Sequence, residues 1–203
     1  MAQGRRQCPL PAAFCLLPGS WFLVPLLLVM LAAARPRFPV APPPAHTGGF
    51  GEPTCETCHM GNALNDPAGA LELRGIPAAG YEPGRAYRVS VLVRRAGMGA
   101  GGFEIAARGA AGADSGRAAG TWRALDDRVA ITTQGGIAYA HHTEAGAAPS
   151  PDSASWTLEW TAPAAPGRVV FHVAANAANG DRSQFDDYVY ARGFERAGVA
   201  SPK

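Results

Sequence analysis

The sequence predicts an all-β protein, an antiparallel β-sandwich. Three observations carry that expectation. Segments of alternating apolar and polar residues recur between residues 70 and 194. Glycine and proline turn signals separate them. No stretch keeps the apolar period of a long helix. Composition agrees: 47% of the 203 residues are hydrophobic and only 17% are charged, with 25 glycines and 18 prolines, a balance suited to short strands joined by turns.

The strand candidates come in order. Residues 70–74 alternate, and residues 86–94 alternate before turning more apolar. Residues 102–108 alternate weakly, and 129–133 and 136–140 are short candidates. Residues 155–160 alternate cleanly, with Trp156, Leu158 and Trp160 on one face. Residues 168–174 and 187–194 close the series. Seven or eight strands thus occupy a domain over residues 69–196, with a tail at 197–203. Glu82-Pro83-Gly84 and Ala165-Pro166-Gly167 are turn signals. Trp156, Trp160 and Phe171 are expected in the core, and packing is the default for Trp122. Asn176 and Asn179 are expected to set turn geometry, and the pairs Asp126-Asp127 and Asp186-Asp187 to be solvated.

The segments before the domain differ in character. Residues 1–35 carry Arg5 and Arg6, then an apolar run from Trp21 to Ala34 that ends in small residues. This reads as a signal peptide or as an N-terminal membrane anchor. Counted back to Pro11 the run approaches the roughly 20 residues that span a bilayer. Membrane contact is expected only through residues 11–34, if they are retained. Either way the rest of the chain lies outside the cytoplasm. Residues 36–54 are rich in proline and glycine and read as an extended linker without core material. Three of the 18 basic residues lie in residues 1–35, leaving 15 against 16 acidic residues. A nearly neutral chain gives no electrostatic case for nucleic-acid binding.

Residues 55–68 carry the chemistry. Cys55-Glu56-Thr57-Cys58-His59 is the attachment pattern for c-type haem. Two thiols form thioethers with the porphyrin vinyl groups, and the following imidazole is carried under the iron. One covalent haem c is therefore expected on Cys55 and Cys58, with His59 as the proximal iron ligand. Pro67 and Gly69 stop any helix begun there, so the helical cytochrome c fold is not expected. Two other readings stay open: a local Cys55–Cys58 disulfide with His59 incidental, and a zinc site, which lacks a second cysteine pair.

The combination of Thr47 to His59, Gly102-Phe103-Glu104-Ile105, His142-Thr143, Trp156 to Pro163 and Val170 to Gly180 is similar to a bacterial family of exported proteins with a reelin-N-terminal-like (Reeler) domain, the choice-of-anchor V group. The resemblance covers about residues 46–194. It implies an immunoglobulin-like sandwich and an extracytoplasmic location. Its bacterial members commonly carry the Cys-x-x-Cys-His block ahead of the sandwich. The activity of the family is poorly defined, so the resemblance speaks to fold more than to function.

The group opposite His59 is sought among Met98, His46, His141, His142 and His172. Met60 is excluded because its neighbour occupies the proximal side. His46 sits in the linker and lacks a rigid support, and His172 is mid-strand. Met98, in a glycine loop, is a weaker alternative to His142, with gap-filling as its ordinary role. His142 is the first candidate. It lies at a strand-to-loop edge and falls on the His-Thr position of the family pattern, where relatives without haem also carry a histidine. An open or water-bound face is a further alternative. No nucleophile elbow, zinc-protease motif or phosphate-cradling loop is present, so no enzyme is expected. The expected function is electron transfer or redox sensing by an exported monohaem protein. The alternative is an extracytoplasmic binding module without haem. Neither the redox partner nor the oligomeric state is legible.

Overall fold

The computed structural model describes residues 41–199, and the expectations for residues 1–40 and 200–203 fall outside that range. Ten strands follow in order: β1 (Met60–Gly61), β2 (Gly69–Arg74), β3 (Ala86–Arg95), β4 (Ala100–Gly109), β5 (Thr121–Ala124), β6 (Val129–Gln134), β7 (Ile137–His142), β8 (Ser153–Thr161), β9 (Arg168–Ala178) and β10 (Phe185–Ala197). They form two sheets, a six-stranded one in the order β1-β10-β9-β4-β7-β6 and a four-stranded one in the order β2-β3-β8-β5. Every pairing is antiparallel except β1 with β10. The protein is an all-β sandwich, as the sequence predicts. Among the described residues no helix is long and apolar enough to cross a membrane.

The core lies between the sheets and follows the predicted alternation. Trp156, Leu158 and Trp160 of β8 are buried together, against Phe103 and Ile105 of β4 and Phe171 and Val173 of β9. Trp156 stacks on Phe103 at 4.7 Å, and Trp160 meets Phe171 edge-on at 4.7 Å. Each indole N–H donates to a backbone carbonyl, Trp156 to Gly146 at 2.9 Å and Trp160 to Ala119 at 3.0 Å, so neither ring buries an unpaired donor. Trp122 packs on Phe171 at 6.1 Å. Met98 joins the same core.

Two strands exceed the predicted set. β1 is two residues long and β5 four, too short to show a period. β9 also runs four residues past its expected end, through Ala175-Asn176-Ala177-Ala178. These residues have little strand propensity. Pairing on both sides, with β4 and with β10, holds them extended.

The main departure concerns the linker. In β4 and β9 successive side chains point to opposite faces, yet nearly every residue of both strands is buried. The outward face is covered by residues 41–59, which lie across it. The Ala45 and His46 N–H groups donate to the Glu104 carboxylate at 2.9 and 3.1 Å. Glu52 accepts from Tyr139 Oη at 2.5 Å and from Thr47 Oγ1 at 2.5 Å, and it pairs with Arg108. Phe50 meets His172 edge-on at 5.3 Å. Residues 41–54 thus have no regular secondary structure but are docked, and they supply the second cover of a sheet buried on both faces.

Gly49 shows how close the docking is. A Cβ there would lie 2.3 Å from His172 Cγ. Gly49→Ala should force the arm or the ring to shift, costing about 1–3 kcal/mol. Urea unfolding should show that loss, and limited proteolysis should cleave residues 41–59 faster than in the parent protein.

Candidate functional site

The Cys55–His59 segment begins as a single 3-10 turn, Cys55–Thr57, capped by the Thr54 side chain on the Glu56 N–H. The Cys58 and His59 N–H groups both donate to the Cys55 carbonyl, at 3.1 and 2.9 Å. This tight turn places Cys55, Cys58 and His59 on one short segment. β1 then pairs parallel with β10, beginning with the Met60 N–H on the Gln184 carbonyl at 2.8 Å.

That pairing brings His59 to Asp187. His59 Nδ1 lies 2.6 Å from Asp187 Oδ2. The Asp187 side chain is fully buried, while that of His59 is 34% exposed. A carboxylate oxygen accepts, so the Nδ1 proton is held between the two groups, and the lone pair of His59 is on Nε2. The carboxylate is otherwise satisfied: Oδ1 accepts the Asn179 N–H at 3.1 Å, and Asn176 Nδ2 lies 3.4 Å from Oδ2. Asn176 Nδ2 also sits 2.9 Å from His59 Nδ1. Asn62 Nδ2 donates to the Asp187 carbonyl at 3.1 Å. The expectations of a solvated Asp187 and of a turn role for Asn176 both fail. Asp187 is 1% exposed and Asn176, mid-strand in β9, is 6% exposed. Asn179 does shape a turn, accepting the Asp181 N–H at 3.0 Å.

His142 comes into the same neighbourhood. At the end of β7 its ring lies over Gly102, where a Cβ would be 2.7 Å from Cε1. Gly102 pairs with Asn176, whose Nδ2 sits 2.9 Å from His59 Nδ1, so one histidine reaches Gly102 and the other its cross-strand partner. His142 Nδ1 is 3.0 Å from the Phe103 N and 3.2 Å from the Phe103 carbonyl. Burial first, and the nearby charges of His141 and His59 after it, hold its pKa down at about 4, against a backbone contact that raises it. The ring is therefore neutral at physiological pH.

The other distal candidates are placed elsewhere. Met98 is in the sandwich core. His141 is buried, with Nε2 3.0 Å from Thr132 Oγ1 and Nδ1 2.9 Å from the His142 carbonyl. His46 holds the Pro44 carbonyl through Nδ1 at 3.2 Å, and its backbone is pinned by Glu104, so its segment is supported after all. His172 sits under Phe50, with burial lowering its pKa and Nδ1 buried without a partner.

Cys55 and Cys58 are free thiols. Burial, reinforced by the Glu104 charge, pushes the Cys55 thiol up to about 12. Such a thiol carries almost no thiolate at neutral pH. Glu104 itself is completely buried, and burial raises its pKa to about 7 against the opposing effect of two backbone N–H donors. Sequence reasoning missed Glu104. Its one signal is an acid in the middle of a weakly alternating strand. Among the described residues no three histidine, cysteine or acidic side chains are gathered to hold a bare metal ion.

The donor set fits a covalent haem. The thiols stand on one turn, and the adjacent imidazole is gripped at Nδ1 by a buried carboxylate, with Nε2 making no hydrogen bond within the described residues. This is the arrangement by which a second group fixes the ring and raises the basicity of a ligating histidine.

Comparison with known proteins finds no matching family model and no matching curated protein. The sandwich is similar to the human F-spondin reeler domain, fragment 1, at 20% identity and a TM-score of 0.46, over 70% of this chain and 95% of that one. It is similar to fragment 2 of that domain at 17% identity and a TM-score of 0.44, over 70% and 91% of the two chains. A third structure, the Reelin-N domain of F-spondin, matches at 18% identity and a TM-score of 0.42, over 71% and 95%. These likenesses concern the sandwich, and nothing about the Cys55–His59 segment follows from them.

Glu104 on one side, and the partly buried histidines His142 and His172 on the other, have opposite effects on stability. Glu104 has a raised pKa, so its contribution is fully present below about 4.5 and lost as pH rises through about 7. His142 has a lowered pKa, so the fold loses stability as pH falls from about 6.5 through about 4. Between about 4.5 and 6.5 the two slopes oppose each other. Glu104→Gln should uncover the slope of the partly buried histidines, His142 with His172, giving stability that rises with pH across that window. Urea midpoints from pH 4 to 8 would check this, with a limiting slope on the order of 1.4 kcal/mol per pH unit for one proton.

Proposed function

We propose that the protein is a monohaem c-type redox module of the extracytoplasmic space, with haem held covalently by Cys55 and Cys58 and its iron ligated by His59 Nε2. The observation that carries the reading is the 2.6 Å contact of His59 Nδ1 with buried Asp187. A histidine one residue past a Cys-x-x-Cys pair, locked in the tautomer that presents Nε2, is built as a ligand. The haem when bound supplies one-electron chemistry or axial ligand binding. The protein fixes the ring, buries the carboxylate behind it and covers the sheet with the arm. Thioether formation follows export, in keeping with an apolar segment at residues 21–34 that serves as signal or anchor.

The competing reading, a binding module with a Cys55–Cys58 disulfide, has less support. Cys55 and Cys58 stand as separate free thiols at the 3-10 turn. That reading also leaves the His59–Asp187 contact without a purpose.

Co-expression with a haem-attachment system, followed by a haem stain on the denatured protein, tests the proposal. Colour should survive denaturation and vanish in the Cys55→Ala/Cys58→Ala double variant. A colourless parent protein whose intact mass lacks haem would rule the proposal out.

Asp187→Ala should keep the covalent haem but lower the affinity of His59 for iron by about 10–100-fold. Asp187→Asn, weaker as an acceptor, should raise the midpoint potential because a less basic imidazole stabilises the ferric state less. Potentiometric titration of both variants beside the parent would check this.

A further inference from the structure

Three polar atoms meet behind the His59 ring. Nδ1 lies 2.6 Å from Asp187 Oδ2, and Asn176 Nδ2 lies 2.9 Å from Nδ1 and 3.4 Å from Oδ2. Nδ1 spends its proton on Oδ2, so it has no lone pair left to accept the amide. The Asn176 N–H therefore also goes to Oδ2, and two donors share one carboxylate oxygen. Turned round, the amide would set its oxygen against Oδ2, acceptor against acceptor. As it stands, Oδ1 is buried with no hydrogen-bond partner among the described residues. A buried acceptor without a donor costs stability, and such a group calls for a reason. The sheet does not require it. Asn176 is the one polar side chain in Ala174-Ala175-Asn176-Ala177-Ala178, and its backbone pairs with Gly102 on one side and Val189 on the other. A further alanine would sit there without an orphaned oxygen.

A carboxylate oxygen that accepts a second N–H draws less strongly on the first. The more Asp187 draws on the Nδ1 proton, the more anionic the imidazole becomes, and the more an iron on Nε2 is stabilised in the ferric state. We propose that Asn176 is a positioning residue of this site and acts through Asp187. Its N–H limits the pull of the carboxylate on His59, and so holds the midpoint potential of the bound haem higher than His59 and Asp187 alone would set it. The inference rests on the haem reading above. It needs only the groups gathered at Nδ1, on the side of the ring away from Nε2. The potential then becomes a balance of two opposed groups, an acceptor that lowers it and a donor that raises it. Register delivers both, the amide from β9 and the carboxylate from β10.

The test is potentiometric titration of the covalently loaded protein in four forms: the parent, Asn176→Leu, Asp187→Asn and the double variant. Asn176→Leu keeps the size of the side chain and removes the donor, and Asn176→Ala takes its place where the leucine variant does not fold. The potential should fall in the Asn176 variant, opposite in direction to its rise in Asp187→Asn. In the Asp187→Asn background the same substitution should shift it much less, because a neutral amide draws only weakly on the Nδ1 proton. An unchanged or raised potential in the Asn176 variant would overturn the inference. A shift of equal size in both backgrounds would overturn it too, since that is what a general loosening of the site gives. A haem stain on the denatured parent separates the two readings. Absence of colour overturns the underlying haem reading, and colour with either of the preceding results overturns this inference alone.

Discussion

The site and the sheet edge depend on one contact, the hydrogen bond between His59 and the buried carboxylate of Asp187. The two residues are 128 positions apart. A carboxylate removed from water is costly unless its oxygens are filled, and the deficit for a charge left unpaired is larger than any single hydrogen bond returns. Asp187 is filled by His59, Asn176 and the Asn179 backbone. One of these partners stands in β9, one in the turn that follows it, and the third in the Cys55–His59 segment. The segment must therefore dock for the start of β10 to be buried. The parallel pairing of β1 with β10 is the backbone half of the same docking. Fold and site are coupled because neither can satisfy Asp187 alone.

The second constraint is the arm. A six-stranded sheet packed on one face against the sandwich core has an outer face to dispose of, and this chain covers it with residues 41–59 in place of a third layer. The cover is polar as well as apolar. Glu104, Arg108, Tyr139 and His172 all stand on that face and are answered by Glu52, Phe50 and the backbone of residues 45 and 46. This explains why a proline-rich stretch with no secondary structure is held in place. It also sets the environment of Cys55, whose thiol feels both its own burial and the charge of Glu104.

Most of the sandwich is legible in the sequence because strands buried on one face alternate with period two. Trp156, Leu158 and Trp160 declare β8 and its inward face by alternation alone. The legible part ends where burial is two-sided. β4 and the far half of β9 are covered by the arm, so their alternation is blurred and Ala175 to Ala178 read as a turn. The site divides the same way. Cys55, Cys58 and His59 are contiguous, and spacing alone exposes them. Asp187, Asn176 and Glu104 act from other strands, and their roles depend on register, which a single sequence does not give. Paired acids are usually solvated, and Asp186-Asp187 offers no sign that one of the two turns inward. Met98 shows the converse: a glycine-flanked methionine invites a ligand reading, and the chain spends it on the core.

A β-sandwich differs from a helical bundle in what it can offer a cofactor. Helices wrap a plane, whereas a sheet presents side chains in fixed rows whose spacing is set by the hydrogen-bond ladder. Two imidazoles approach the Gly102–Asn176 pair, and neither is held by packing alone. His59 is fixed through a carboxylate, which fills Nδ1 with a proton. His142 is fixed through a backbone N–H, which fills Nδ1 with a donor. The chemical difference between an acceptor and a donor behind each ring is carried through to its far nitrogen. A sheet can therefore assign different hydrogen-bonding partners to the same residue type at neighbouring positions, because β-ladders end in unpaired N–H groups while buried acids provide unpaired oxygens. Reversing either partner would reverse the role of the ring in front of it, and no change in the ring's position would be needed.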